Sequence, residues 1–328
     1  MDTRPDQRSK ICNKEICSPL AWKRDSIKDQ SWLVELPDDV VDELRDFIIL
    51  LRLNPVPIEV LDATDYELAH CIKLMKDVQN KLINGTGLAI LNKLPAGEFN
   101  KMEMKQIYWV LSSLIERPVA QSFDGRLLYD VIDTGAKIAT RTRGDLTNQE
   151  LSWHTDYGFN FPPPFIGLLA LNTAPKGGIS RVASMLNVHN ILRQQYPEYL
   201  KRLYRPFWWN RQGEHPEGND SVHFYPIFSY DGETVRGRYI KWLLYKGYEL
   251  MGEDFDELGQ EALETMFDIM SDPINHITFD LEPGQIQYMN NFAVAHSRTD
   301  YRDSKKVEDK RHLVRIFLRN SGRRSYMG

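Results

Sequence analysis

The stretch Ser152-Trp153-His154-Thr155-Asp156-Tyr157-Gly158-Phe159 places an imidazole and a carboxylate two residues apart among aromatic side chains. In a strand, side chains alternate faces with a period of two, so His154 and Asp156 would project from one face and Thr155 from the other. Two ligands of one metal ion need such convergence. With eight His and 46 acidic residues in 328 positions, about one His-x-Asp/Glu arises by chance, and the chain has two. The second, His215-Pro216-Glu217, lies in GEHPEGND, whose Pro, Gly, Asn and Asp mark a loop rather than a strand. Which pair is noise depends on what surrounds each.

The surroundings of His154 read as β. From about residue 118 onward, short apolar or aromatic runs alternate with turn signals. Strands are expected at 151–157, 165–172, 222–228, 235–241, 276–281, 285–289 and 312–318. Two helices interrupt them, at 187–203 and at 254–272, the latter with an apolar stripe of Phe255, Leu258, Ala262, Met266 and Ile269. Upstream, Val40, Val41, Leu44, Phe47, Ile48 and Leu51 recur at helical spacing, as do Leu68, Cys71, Leu74, Met75, Val78 and Leu82. The second of these ends at the stop signal Asn84-Gly85-Thr86-Gly87. Many short strands with helices outside suit a mostly β jelly roll or barrel, which closes its sheet edges and leaves a mouth for a ligand. No repeat or Pro/Gly/Ser-rich linker divides the chain. A single domain over 1–328 is expected, with an irregular segment over about 1–35 and a helical flank over about 36–84.

Composition narrows the partners. A formal charge of −5 and a pI of about 5.9 give no basic field for nucleic acid or an anionic membrane. Apolar runs such as FIILL at 47–51 and FIGLLAL at 165–171 fall short of the roughly 18–20 residues of a membrane span. The charged N-terminus lacks the apolar core of a signal peptide. A cytoplasmic protein with a small-molecule substrate is expected, self-association being left open. Cys12, Cys17 and Cys71 form no disulfide framework or close CxxC pair.

Two His and one carboxylate on one face of a metal, with the other positions open, is an arrangement of non-haem Fe(II) sites. A distal His is therefore needed, and His296 is the strongest candidate, in a turn–strand–loop running from Gly284 to Arg298. Fifteen residues later comes Arg311. Along the last strand Arg311, Leu313, Arg315, Phe317 and Arg319 share one face, and His312, Val314, Ile316 and Leu318 the other. Either the arginines face water and the aliphatics the core, or the aliphatics meet outer helices while Arg311 points inward at a carboxylate. Composition does not choose between them.

Taken in order, these segments resemble the taurine dioxygenase and clavaminate synthase-like family of Fe(II)/2-oxoglutarate enzymes, over roughly residues 85–320. NGTGLAILNKLP resembles the early strand, SWHTDYGF the metal strand, Pro175-Lys176-Gly177-Gly178-Ile179-Ser180 the P-x-G-G-x-T segment, NNFAVAHSR the distal element and RHLVR the closing strand. The resemblance implies a double-stranded β-helix (jelly roll) core with flanking helices. It implies His154, Asp156 and His296 as iron ligands and catalytic centre, and Arg311 as the salt-bridge partner of the distal carboxylate of 2-oxoglutarate. Ser180 stands where the family usually has a Thr hydroxyl on that carboxylate, and Arg315 where a side chain often faces the cosubstrate or an anionic substrate. Gln285 and Asn290 depart from the pattern, each where Asp is usual; neither is a metal ligand. The implied activity is oxidation of an unactivated C–H bond with Fe(II), 2-oxoglutarate and dioxygen, releasing succinate and CO2. Hydroxylation is the default, on a small, amino-acid-like or carboxylated metabolite. The same residues would also serve desaturation, epoxidation or ring formation. Asp156 speaks against halogenation, because related halogenases replace that carboxylate with a small residue.

Rivals of other classes are a zinc hydrolase built on the same triad and a catalytically silent jelly-roll binding protein. His70, His189, His215, His223, His276 and His312 read as packing or surface residues. RPFWWN at 205–210 reads as core rather than substrate wall, and the polar run 133–149, with Arg141 and Arg143, as a lid or a solvated loop.

Overall fold

The computed structural model describes residues 10–95, 97–135 and 146–327. Two sheets organise them. The larger runs Leu33–Val34, Leu88–Leu91, Ile286–Asn290, Phe165–Asn172, His312–Leu318 and Pro118–Val119, with Leu128–Ile132 also paired to His312–Leu318. The smaller runs His276–Phe279, Ser180–Ser184, Val294–Arg298 and Leu151–His154. This is the expected jelly-roll architecture.

Strand alternation splits the larger sheet between two cores. Leu88, Ile90, Ile166, Ala170, Leu313 and Phe317 pack in one cluster with Trp153, Val182 and Ile277 of the smaller sheet. Their neighbours in sequence, such as Ala89, Leu91, Leu169, Val314 and Ile316, pack with Leu44, Met75 and Ile107 of the N-terminal helices. Those helices span Asp38–Leu53, Ala69–Asn84 and Lys101–Ser113. Both faces of the sheet are therefore covered. Residues 10–35 carry no repeating pattern, yet Trp22, Ile27 and Trp32 are buried and Leu33–Val34 adds a parallel edge strand to Leu88–Leu91.

Several elements differ from expectation for local reasons. The helix expected at 187–203 is two, Met185–Gln195 and Pro197–Leu203, because the residue before a proline is driven out of the α region; Tyr196 has ψ +57°. Pro226 similarly divides the strand at 222–228 into Val222–Tyr225 and Phe228–Tyr230. The strand at 235–241 ends at Gly237, and a helix Lys241–Met251 follows. Its central glycine hid it from helical reading. Gly247 is there because a Cβ would come within 2.3 Å of Trp208 O. The helix Lys101–Ser113 was not expected from the sequence; its start is fixed by a capping box, in which Asn100 accepts from Met102 and Glu103 N–H while Glu103 accepts from Asn100 N–H. The RPFWWN segment is core as read, with Phe207 and Trp209 fully buried.

His189 is a core residue, also as read. Its Nε2 lies 2.9 Å from Tyr204 Oη, and burial, with the nearby charge of Arg193, pushes its pKa to about 4. The unfolded chain, with His near 6.5, takes up its proton first as the pH falls. The contribution is therefore complete above about pH 6.5 and is lost progressively as the pH drops towards 4. His189→Gln should lose roughly 2 kcal/mol less unfolding free energy than the parent between pH 7 and pH 5. Urea titrations at the two pH values check this, and equal losses would mean that His189 is not the titrating group.

Candidate metal and cosubstrate site

The smaller sheet brings the first ligand pair together. His154 and His296 stand directly opposite on the antiparallel strands Leu151–His154 and Val294–Arg298, with ring centroids 4.1 Å apart. His154 Nδ1 lies 2.8 Å from Ser152 O. That bond makes Nδ1 the protonated nitrogen and leaves the Nε2 lone pair for a metal. Burial, reinforced by His154 and Arg315, holds the His296 pKa well below the usual imidazole value. A metal needs this neutral form.

Asp156 arrives differently from expectation. The strand ends at His154, so Asp156 does not share a strand face with it; Asp156 stands in the following turn, where Tyr157 adopts φ +58°. Two contacts fix the turn. Asn291 Oδ1 accepts the Asp156 N–H and Asn291 Nδ2 donates to Asp156 O, each at 2.8 Å, while Thr155 Oγ1 accepts from Tyr239 N at 3.0 Å. Asp156 Oδ1 ends 3.7 Å from His154 Nε2. Donor atoms of His154, Asp156 and His296 all lie within 4.8 Å of one another. The HPE pair gathers no such group among the described residues, and His215 Nδ1 instead meets Pro216 O at 3.0 Å.

The closing strand supplies two arginines from one face. Arg311 and Arg315 are 6% and 9% exposed, so both point inward. Arg315 Nη1 is 3.6 Å from Asp156 Oδ1, and its Nε donates to Gln121 Oε1 at 2.9 Å, with Gln121 Nε2 returning a bond to Arg315 O. Arg311 takes its backbone N–H to Asp303, and its Nη1 is buried without a hydrogen-bond partner among the described residues. Burial, together with the charge of Arg298, lowers its pKa to about 10.

Two spaces meet at the triad. An inner chamber of about 60 Å³ is lined by Ser180, Gln287, His296, Ser297, Arg298 and Arg311. An outer cavity of about 530 Å³ has walls of Tyr157, Phe159, Tyr245, Phe267 and Phe317. His154, Asp156 and Arg315 line both. The orphaned guanidinium nitrogen of Arg311, in the chamber that holds Ser180 and His296, fits a small dicarboxylate reaching from the metal to Arg311.

Asn291, Gln121, Tyr245 and Phe267 escaped the sequence reading. Asn291 had a signal, since it lies in the distal element beside Asn290. Gln121 and the two aromatic walls come from distant, unpatterned positions. The departures at 285 and 290 are structural: Gln285 Oε1 accepts Glu282 N–H, and Asn290 Oδ1 accepts from Phe292 and Ala293 while its Nδ2 donates to Leu82 O. Arg141 and Arg143 of the 133–149 run lie outside the described residues. No described helix is long and apolar enough to cross a membrane.

Comparison with known proteins assigns the chain a family and a fold. The family model described as taurine catabolism dioxygenase TauD, TfdA family matches residues 59–317. FR-33289 synthase of Streptomyces rubellomurinus is 28% identical over 94% of this chain and 91% of its own length. A taurine hydroxylase-like protein, SAT17, of Stachybotrys chartarum is 24% identical over 70% of this chain and 60% of its own. Among solved structures, asparagine oxygenase in complex with Fe(II), 2S,3S-3-hydroxyasparagine and succinate superposes with a TM-score of 0.65 at 17% identity, covering 88% of this chain and 93% of that one. The non-heme iron oxygenase OrfP with Fe and alpha-ketoglutaric acid gives 0.63 at 13% identity, covering 88% and 94%. At those identities the two structures speak to the fold.

Proposed function

Because the chain belongs to the TauD, TfdA family of taurine catabolism dioxygenases and is a non-haem iron oxygenase, we propose that His154, Asp156 and His296 hold Fe(II), and that Arg311 with Ser180 holds the distal carboxylate of 2-oxoglutarate. One observation carries the second half: Arg311 Nη1 is buried without a hydrogen-bond partner among the described residues, in the chamber beside the triad. A buried guanidinium nitrogen without a hydrogen-bond partner is costly, and a carboxylate removes that cost.

The bound iron and cosubstrate supply the oxidation of an unactivated C–H bond, with 2-oxoglutarate leaving as succinate and CO2. The protein positions and shields. Asn291 grips the Asp156 backbone from both sides, so the carboxylate holds its place on an otherwise irregular turn. Arg315, itself anchored by Gln121, keeps positive charge on the Asp156 oxygen that faces the two imidazoles. This contact makes Arg315 a support of Asp156. The aromatic wall excludes water and receives the apolar part of a substrate.

We assign as substrate a carboxylated or amino-acid-like metabolite with an apolar body, and as reaction hydroxylation. The size and lining of the outer cavity support a body larger than a minimal amino acid. Candidate acids should be screened for succinate formation that needs Fe(II), 2-oxoglutarate and dioxygen together, with the product mass recorded. Gain of one oxygen atom is expected. Loss of two hydrogens would replace hydroxylation by desaturation or ring formation, and turnover independent of dioxygen would favour the zinc hydrolase.

A further inference from the structure

A third cavity, of about 460 Å³, lies beside the turn that carries Asp156. Tyr157 and Phe159 face the outer cavity described above, whereas Asn160 and Phe161 join His223, Tyr225, Arg238 and Arg323 around this one. Its wall is cationic. Arg238 gives Nη1 to Gly158 O at 3.2 Å and lays its guanidinium over the Tyr225 ring, 4.9 Å from the centroid. Arg323, from the C-terminal segment, gives Nε to Tyr326 O. Among the described residues neither has a carboxylate within ion-pair distance.

The neighbouring groups do not neutralise them. Arg211 spends its donors on Asn160 Oδ1, Asp220 O and Tyr326 Oη, none of them a charged oxygen. His223 donates Nδ1–H to Phe159 O, and burial together with Arg211 and Arg238 holds its pKa at about 4, so it stays neutral. Asp220, the acid whose charge acts on His223, is exposed and pairs with none of these arginines. Burial without a counter-charge lowers Arg238 to about 10. A guanidinium carries five donors and does not lose its charge, so most of this one is left to serve whatever enters the cavity.

We infer that this cavity binds an oxyanion, a carboxylate or phosphoryl group, held by Arg238 and by Arg323. The group is either the far end of the substrate or a free anion. Only the first source rests on the function proposed above. Fork geometry suits both groups, since two parallel N–H donors match two oxygens of either. The turn 157–161 contributes side chains to both this site and the outer cavity, so an occupant here sits beside the turn that carries Asp156.

The test is isothermal titration of the full-length protein with inorganic phosphate, sulfate and acetate, a readout that needs no turnover. At least one anion should bind saturably, with affinity falling at least tenfold in Arg238→Met and several-fold in Arg323→Ala. The Fe(II)–2-oxoglutarate absorption band should be unchanged in both variants, which separates failure here from failure of the metal-site reading. Should Arg238→Met fold poorly, the exposed Arg323 keeps the test intact. With any acid found by the succinate screen, a substrate-borne anion predicts competitive inhibition by the bound ion. It also predicts a raised KM in Arg238→Met for the acid but not for its amide. A free anion predicts non-competitive effects and an unchanged KM. No saturable binding of any of the three anions, or equal affinity in parent and both variants, overturns the inference.

Discussion

Replacing His154, Asp156 or His296 by Ala should abolish the weak visible charge-transfer band that anaerobic Fe(II) and 2-oxoglutarate give with the parent protein, and reduce bound iron to background. The expectation follows from the convergence of the three donors within 4.8 Å and from the lack of any other such group among the described residues. Removing one of three protein ligands leaves two, which hold a labile divalent ion far less tightly against water. Asp156→Ala also removes the carboxylate oxygen 3.6 Å from Arg315 Nη1, adding a lost charge contact to the lost ligand. His215→Ala and Glu217→Ala should leave the band intact. An unchanged band in any two of the triad variants would refute the site, and loss of iron in the HPE variants would move it there.

Arg311→Ala should weaken 2-oxoglutarate binding by roughly 2–5 kcal/mol, which is about thirtyfold to several thousandfold. The magnitude rests on burial: at 6% exposure the guanidinium is shielded from water, so its pairing with a carboxylate is little screened. Ser180→Ala, removing one hydroxyl from the same chamber, should cost about 1 kcal/mol, or fivefold. Calorimetric titration of 2-oxoglutarate into the Fe(II)-loaded variants orders the two. Equal affinity for parent and Arg311→Ala would mean that the closing strand does not deliver the cosubstrate's counter-charge, whatever its inward orientation.

Much of the site was legible before any coordinates. His154, Asp156 and His296 were identified from motif order, and the structure gathers them as one donor group. The placement of Asp156 is less local than its spacing suggests. A two-residue spacing suggests one strand face, whereas the carboxylate is placed by a turn with a left-handed Tyr157 and by the side chain of Asn291. That clamp joins residues far apart in the chain, so no local pattern could show it. Helices were read well where their apolar stripes were clean, as at Asp38–Leu53 and Ala69–Asn84, and missed at Lys241–Met251, where Gly247 serves a contact with Trp208 rather than the helix itself.

By itself the sequence determined the β-rich class, the helical flank, the order of the metal-binding segments and the two-faced pattern of the closing strand. Which face of that strand is inside was decided only by the tertiary structure. Period-two alternation separates Arg311, Leu313, Arg315 and Phe317 from Val314, Ile316 and Leu318, but it carries no sign, and with water on one side the arginines would have taken it. The helices spanning 38–113 remove that option. They cover the outer face of the larger sheet and bury the aliphatics against Leu44, Met75 and Ile107, so the arginines are turned towards the smaller sheet and its metal donors. There Arg315 finds Asp156, and Arg311 keeps a buried nitrogen without a partner among the described residues, a cost that a bound carboxylate would offset.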